Sequence, residues 1–182
     1  MIYSIFKTEF GWCGIVGKQG RLVEIIPFLL TDESVYSSIA SKYPDSASSP
    51  GCFEAVGNAI TRYLRGVMVD FEFSLDLSHH TEFQRRVWEV TRSIPYGEIR
   101  TYGWVSKKLG SPKSFRAVGT ALAQNPLPIV IPCHRVVRSN GELGGYSAAG
   151  GINLKARLLK MEGHKLDSRG RVRVRERERE RL

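Results

Sequence analysis

The residues best suited to covalent chemistry stand together in Pro132-Cys133-His134-Arg135-Val136, with Glu162 some thirty positions further on. A free thiol with a pKa of about 8.5 is only a few per cent thiolate at neutral pH, so a cysteine nucleophile needs a base or a cation nearby. His134 and Arg135 follow Cys133 directly. Neighbours in an extended chain point to opposite faces, so a turn must bring the imidazole round, through a bridging water. A carboxylate would then orient and charge the imidazole, and Glu162 is the candidate. These residues fit a Cys/His/Glu relay. They equally fit a buried structural cysteine beside a capping histidine.

The elements that must position this group read in order. Trp12 to Val16 and Leu22 to Ile26 flank the turn Lys18-Gln19-Gly20 and predict a hairpin. A short helix is expected over 32–42, and Phe53, Val56, Ile60 and Leu64 predict another. Phe71, Phe73, Leu75 and Leu77 alternate with polar residues and predict a strand. Thr81 and Gln84 have capping-box spacing ahead of a helix carrying Phe83, Val87, Trp88 and Val90, which Pro95-Tyr96-Gly97 ends. Thr101 opens a second helix, broken at Gly110-Ser111-Pro112. A third is expected over 113–124, stopped by Asn125-Pro126. Two short helices around a glycine turn read as helix-turn-helix, or as an ordinary helical hairpin. An apolar run, 127–131, delivers Cys133, and a last helix over 153–162 ends at Gly163.

Composition narrows the classes. The chain has 182 residues, 42% hydrophobic and 25% charged, as expected of a soluble globular protein. No apolar run is long enough for a membrane span, and the N-terminus lacks a signal-peptide pattern, so an intracellular, cytoplasmic protein is expected. The net charge is +9. Residues 167–182 carry seven arginines against three glutamates and one aspartate, which leaves about +6 on the body. That favours a polyanionic partner. Three scattered cysteines, Cys13, Cys52 and Cys133, predict neither a disulfide framework nor a spaced metal site. A Cys13–Cys52 pairing is the remaining alternative. No metal and no cofactor are expected.

Pro132-Cys133-His134-Arg135-Val136 resembles the active-site signature of the O6-alkylguanine-DNA alkyltransferases, also called methylated-DNA–protein-cysteine methyltransferases. Phe83-Gln84-x-x-Val87-Trp88 and Ile94-Pro95-Tyr96-Gly97-Glu98 resemble the opening of that family's catalytic domain. Thr101-Tyr102-Gly103, Arg116-Ala117-Val118-Gly119 and Asn125-Pro126 resemble its helix-turn-helix. Gly144-Gly145-Tyr146, Lys155, Leu158-Leu159 and Glu162-Gly163 resemble its closing loop and helix. The agreement spans residues 81–164 in order, whereas 1–80 resemble only a variable N-terminal domain.

The resemblance implies an α/β (α+β) protein in two parts. An N-terminal α/β domain covers 1–78. A mostly helical, winged-helix-like domain with the helix-turn-helix covers 79–166; beyond the resemblance, the low-complexity Arg-Val and Arg-Glu alternation over 167–182 reads as a mobile or helical charged Arg/Glu-rich extension. The resemblance implies that Cys133 accepts the alkyl group, that His134 deprotonates it through a water, that Glu162 holds His134, and that Asn125 ties the recognition helix to the active-site turn. Tyr102 would donate to the leaving guanine, main-chain groups at Cys133 and Val136 would read the base edge, and Tyr146 and Ser147, with Lys155, would wall the base pocket. Arg116, Ala117, Gly119 and Arg135 would meet DNA, with Arg116 entering the stack as the nucleotide leaves. The implied partner is double-stranded DNA, met in the minor groove by a monomer and with little sequence preference. The implied reaction is one irreversible transfer per molecule from O6-methylguanine, and from O4-methylthymine, since a thioether is not undone by thiol exchange.

Two departures stand out. Ser114 and Phe115 replace small residues before the arginine, and the stretch between Tyr146 and Lys155 is longer than the commonest spacing. Rival readings are a non-catalytic sensor of alkylated DNA, a winged-helix regulator and a thiol hydrolase. The acceptor cysteine argues against the sensor, and the basic helix-turn-helix against the hydrolase.

Overall fold

The computed structural model describes residues 1–174 and divides the chain into two compact units. The first comprises Met1–His79 with Pro126–Pro128. Its four-stranded sheet has the order β3-β2-β1-β4, formed by β1 (Ile2–Thr8), β2 (Gly11–Lys18), β3 (Arg21–Leu29) and β4 (Ala47–Ser48). The expected hairpin is β2 with β3, antiparallel and registered through Ile15 opposite Ile25. Gln19 and Gly20 both take positive φ, the geometry of a tight turn whose twist matches the strands. Strand β1, absent from the sequence reading, pairs antiparallel with β2.

Helices α1 (Asp32–Lys42) and α2 (Glu54–Leu64) match the expected spans, and the Thr31 hydroxyl caps α1 by accepting from Ser34 N at 3.2 Å. Val35 and Ile39 of α1 pack with Val16 and Ile26. A side chain at Gly14 would come within 2.6 Å of Val35, so that glycine is what lets α1 lie on the sheet. The strand expected over Phe71 to Leu77 does not form. Only Leu75 bridges, to Leu22 on the outer edge of β3, through bonds from Leu22 N to Ser74 O and from Asp76 N to Leu22 O. Alternation there serves ring packing instead, with Phe71 5.7 Å from Tyr63 and 6.4 Å from Phe73.

The second unit, His80–Asn125 and the chain from Ile129 on, is mostly helical. Helix α3 (Glu82–Arg92) opens on the expected capping box between Thr81 and Gln84. Its Trp88 is fully buried and donates from Nε1 to Ala121 O at 2.9 Å, satisfying the indole as its ring fills the core. Helices α4 (Tyr102–Lys108) and α5 (Phe115–Ala123) form the helix-turn-helix, with Gly110 at positive φ in the turn. Helix α5 starts two residues later than expected, because Ser114 N donates to Ser111 O and closes a turn first. Two-residue strands β5 (Arg100–Thr101) and β6 (Val136–Val137) pair in parallel, and α6 (Gly151–Met161) closes the unit.

Residues 167–174 are not a free extension. Asp167 and Arg171 close a turn, Leu166 bridges antiparallel to Val172, and Val172 is buried in a cluster with Ile99, Val137, Leu143 and Leu159. The Arg-Val alternation is that of a strand-like segment whose valines, Val172 and Val174, turn inward, rather than that of a solvated extension. The rest of the Arg/Glu repeat, 175–182, lies outside the described residues. Cys13 is buried and Cys52 exposed, both as free thiols. Among the described residues no cluster of His, Cys, Asp and Glu could hold a metal ion, and no helix is long and apolar enough to cross a membrane.

Candidate active site

The approach to Cys133 is a buried, tightly bent chain. Ile129 takes φ of 75°, an uncommon conformation for a β-branched residue that costs on the order of 1–3 kcal/mol and must be held by its surroundings. Pro132, at φ −79° and ψ 61°, forms an inverse γ-turn in which Cys133 N donates to Ile131 O at 2.8 Å. One 3-10 turn, Cys133–Arg135, follows before β6. That turn is the bend the sequence chemistry required. Because β6 pairs with β5, whose last residue caps α4, the same geometry sets Tyr102 at the head of α4 beside the cysteine.

Asn125, just past α5, donates from Nδ2 to Ile131 O at 2.9 Å and to Cys133 Sγ at 3.0 Å. It therefore ties the helix end to the turn and meets the sulfur. Burial pushes the Cys133 thiol up, opposed by the Asn125 hydrogen bond, the Lys155 charge and main-chain N–H groups. Burial also pulls the Lys155 ammonium down to about 8, with the charge of a Cys133 thiolate resisting. Lys155 donates to Val136 O at 2.6 Å and sits 5.9 Å over the Tyr102 ring.

His134 is fully buried and meets Glu162 Oε1 through Nε2 at 3.0 Å. Burial lowers its pKa despite Glu162, so the ring is neutral at pH 7. Burial alone would raise the Glu162 carboxyl, but His134 and Arg135 hold it well below the usual carboxylate range. An ionised carboxylate can only accept, so Nε2 carries the ring proton and Nδ1 is the basic nitrogen. Glu162 also accepts from Arg135 at 2.8–3.1 Å and from Gly97 N at 3.1 Å. Relay geometry is thus present, with a second cation that the sequence reading assigned elsewhere.

That assignment needs correcting. Arg135, expected to meet DNA, is buried, with its guanidinium spent on Glu162 and on Ile94 O at 2.7 Å. A charged residue inside the apolar run 129–137 was the available signal, since buried charge is paired. Val136 and Lys155, expected in the base pocket, are fully buried behind it. The Val136 N–H goes to Cys133 O and its carbonyl accepts from Lys155, so the main-chain groups expected to read the base edge are already bonded, and the Lys155 ammonium is turned to Val136.

The other expected residues come together around a cleft of about 1110 Å³ that holds Cys133 at its wall with Tyr102, Arg116, Gly119, Tyr146 and Ser147. Arg116 and Ala117 are exposed on α5, and Gly119 faces the Tyr102 ring. The Tyr146 hydroxyl is buried beside Cys133, and burial, then the Cys133 charge and hydrogen bond, push its phenol well up. Burial likewise raises the Tyr102 phenol, so both remain neutral donors. Phe115 and Arg138, unassigned in the sequence reading, also line the cleft.

Residues 82–164 match the family profile described as 6-O-methylguanine DNA methyltransferase, DNA binding domain. The chain is 37% identical over 164 residues to a methylated-DNA–protein-cysteine methyltransferase of Methanosarcina acetivorans, covering 90% of this chain and 99% of the relative. It is 46% identical over 127 residues to the protein of that name from Methanothermobacter thermautotrophicus, covering 69% and 70%. Among solved structures, Mycobacterium tuberculosis OGT in complex with DNA superposes with a TM-score of 0.75 at 34% identity, covering 89% of this chain and 92% of that one.

Proposed function

The chain belongs to the methylated-DNA–protein-cysteine methyltransferase family, and from that premise we propose that it repairs DNA by moving the alkyl group of O6-methylguanine onto its own Cys133. The observation that carries this reading is the Cys133 thiol in the cleft wall, with Asn125 on its sulfur and the His134–Glu162 pair directly behind. His134 Nδ1 takes the thiol proton through a water. Cys133 Sγ then attacks the alkyl carbon as the bond from that carbon to O6 breaks. Tyr102 donates a proton to the departing guanine and recovers it from solvent, while Lys155 and Asn125 stabilise the thiolate. Arg135 acts indirectly, by keeping Glu162 ionised.

A base inside a duplex cannot reach a sulfur in this cleft, so the nucleotide must be extruded. Arg116, exposed at the rim, fills the gap it leaves, and the small residues Ala117 and Gly119 let α5 approach the minor groove closely. Phosphate contacts by a basic monomer make binding salt-sensitive and nearly sequence-independent. We assign both binding and transfer to the second unit, place the protein in the cytoplasm, and include O4-methylthymine among its substrates. The thioether formed is not undone by thiol exchange, so each molecule reacts once.

The test is incubation with duplex DNA carrying O6-methylguanine, then mass spectrometry of the peptide containing Cys133. A methyl group there, absent from Cys133→Ala, supports transfer. Tight binding with an unmodified peptide would make the protein a sensor instead.

A further inference from the structure

We infer that the hairpin over 166–172 is a positioning device for the substrate cleft, with Val172 as the residue that sets the cleft wall. This rests on the proposed reading of the cleft.

The hairpin is specified locally. Asp167 N donates to Arg171 O at 2.9 Å and Gly170 N to Asp167 O at 2.9 Å, and the Asp167 carboxylate accepts from Arg169 N at 2.8 Å and from Arg171 N at 2.9 Å. This turn returns the chain so that Val172 N donates to Gly141 O at 2.9 Å. Gly141 has φ of 85°, and a Cβ there would stand 2.3 Å from Val172 O, so the two backbones meet where only glycine fits. The Val172 side chain, 4% exposed, fills the cluster that contains Leu143.

Gly141 and Leu143 belong to the turn that builds one side of the cleft. Its start is held by Arg138 N to Glu142 O and by Gly141 N to Arg138 O, both 2.9 Å, and Arg138 and Asn140 line the cleft. Directly after Leu143, Gly144 passes so close to Tyr102 that a Cβ would lie 2.7 Å from its hydroxyl, and Tyr146 follows. Val172 is therefore two residues removed from the wall: it fixes Leu143, and Leu143 fixes Gly144 against the Tyr102 hydroxyl. The cluster also contains Val137, one residue past Val136, and Leu159 of α6, the helix that carries Lys155, so wall position and thiol activation are read separately in the experiment.

The experiment uses the full chain and compares Val172→Ala with Val172→Ile and with Thr81→Ala, a destabilising change at the α3 cap. Transfer from free O6-methylguanine base, the pH profile of Cys133 reaction with iodoacetamide, and thermal melting are measured for each. Val172→Ala should slow transfer from the free base roughly tenfold by misplacing the wall, with the thiol profile unmoved and Val172→Ile within about twofold of native. Thr81→Ala should lower melting without slowing transfer. Equal slowing by Val172→Ala and Thr81→Ala, or a shifted thiol profile in Val172→Ala, would overturn the inference and leave the active-site reading intact. Native protein that transfers nothing from base or duplex would overturn the reading itself, and the inference with it.

Discussion

Replacing Glu162 by glutamine removes one negative charge from the most densely bonded carboxylate in the site. Glu162 accepts from His134 at 3.0 Å, from Arg135 at 2.8–3.1 Å and from Gly97 N at 3.1 Å, with no exposure of its side chain. Breaking a buried ion pair by neutralising one member leaves the other charge uncompensated, which costs about 3–5 kcal/mol. The native stability of such a domain is about 5–15 kcal/mol, so Glu162→Gln should remain folded with a much lower urea midpoint and an unchanged slope. Arg135→Met alone should cost a similar amount. In the double variant both charges are gone, and the coupling between the sites should be on the order of 2–3 kcal/mol. The pH dependence has a definite sign. The folded Glu162 carboxyl lies below its unfolded value of about 4.3, so its contribution is full above that pH and is lost as pH falls through the folded value. Native protein should therefore lose stability in acid more steeply than Glu162→Gln. Alkyl transfer should fall about a hundredfold with the weakened base, within the range general-base catalysis supplies. Strictly additive single costs, or parallel acid curves, would refute the idea that this buried charge cluster holds the relay.

Asn125→Ala removes the donor to Cys133 Sγ and should raise the thiol pKa further, seen as an alkaline shift in the iodoacetamide rate profile; an unmoved profile would count against it. The lost bond to Ile131 O should also cost about 1–2 kcal/mol in urea unfolding. On the proposed role of the exposed Arg116 guanidinium in extrusion, Arg116→Ala should slow repair in duplex at least tenfold more than reaction with the free base. Equal losses on both substrates would remove that role. Gly144→Ala, with φ of 74° and a Cβ 2.7 Å from the Tyr102 hydroxyl, should cost about 1–2 kcal/mol and slow free-base transfer by displacing that hydroxyl.

What the sequence made legible follows from where the forces are local. The Thr81–Gln84 capping box, the Lys18-Gln19-Gly20 turn and the helix stops at Gly110 and Asn125-Pro126 rest on contacts within a few residues, and each lies where it was expected. Strand β1 was hidden because its pairing with β2 is mutual, and neither Tyr3 nor Phe6 carries a turn signal inside the segment. Phe71 to Leu77 misled because alternation reports two faces, and here one face packs rings while the backbone touches a single residue of β3. At the site, the His134–Glu162 pair and the Asn125 tie to the turn were readable, and the partners of Arg135 were not. Nothing near Arg135 in sequence says that it reaches Glu162 and Ile94 O, and low complexity hid a buried Val172 behind a run of arginines.

The central claim is that Cys133 is the sole acceptor and reacts once. The direct measurement is a time course with duplex DNA bearing O6-[³H-methyl]guanine in large excess over protein, with label counted on protein and mapped by peptide. The account predicts a plateau at one methyl per chain, all of it on the peptide containing Cys133. Label that keeps accumulating beyond one per chain, or that settles on Cys13 or Cys52, would contradict it.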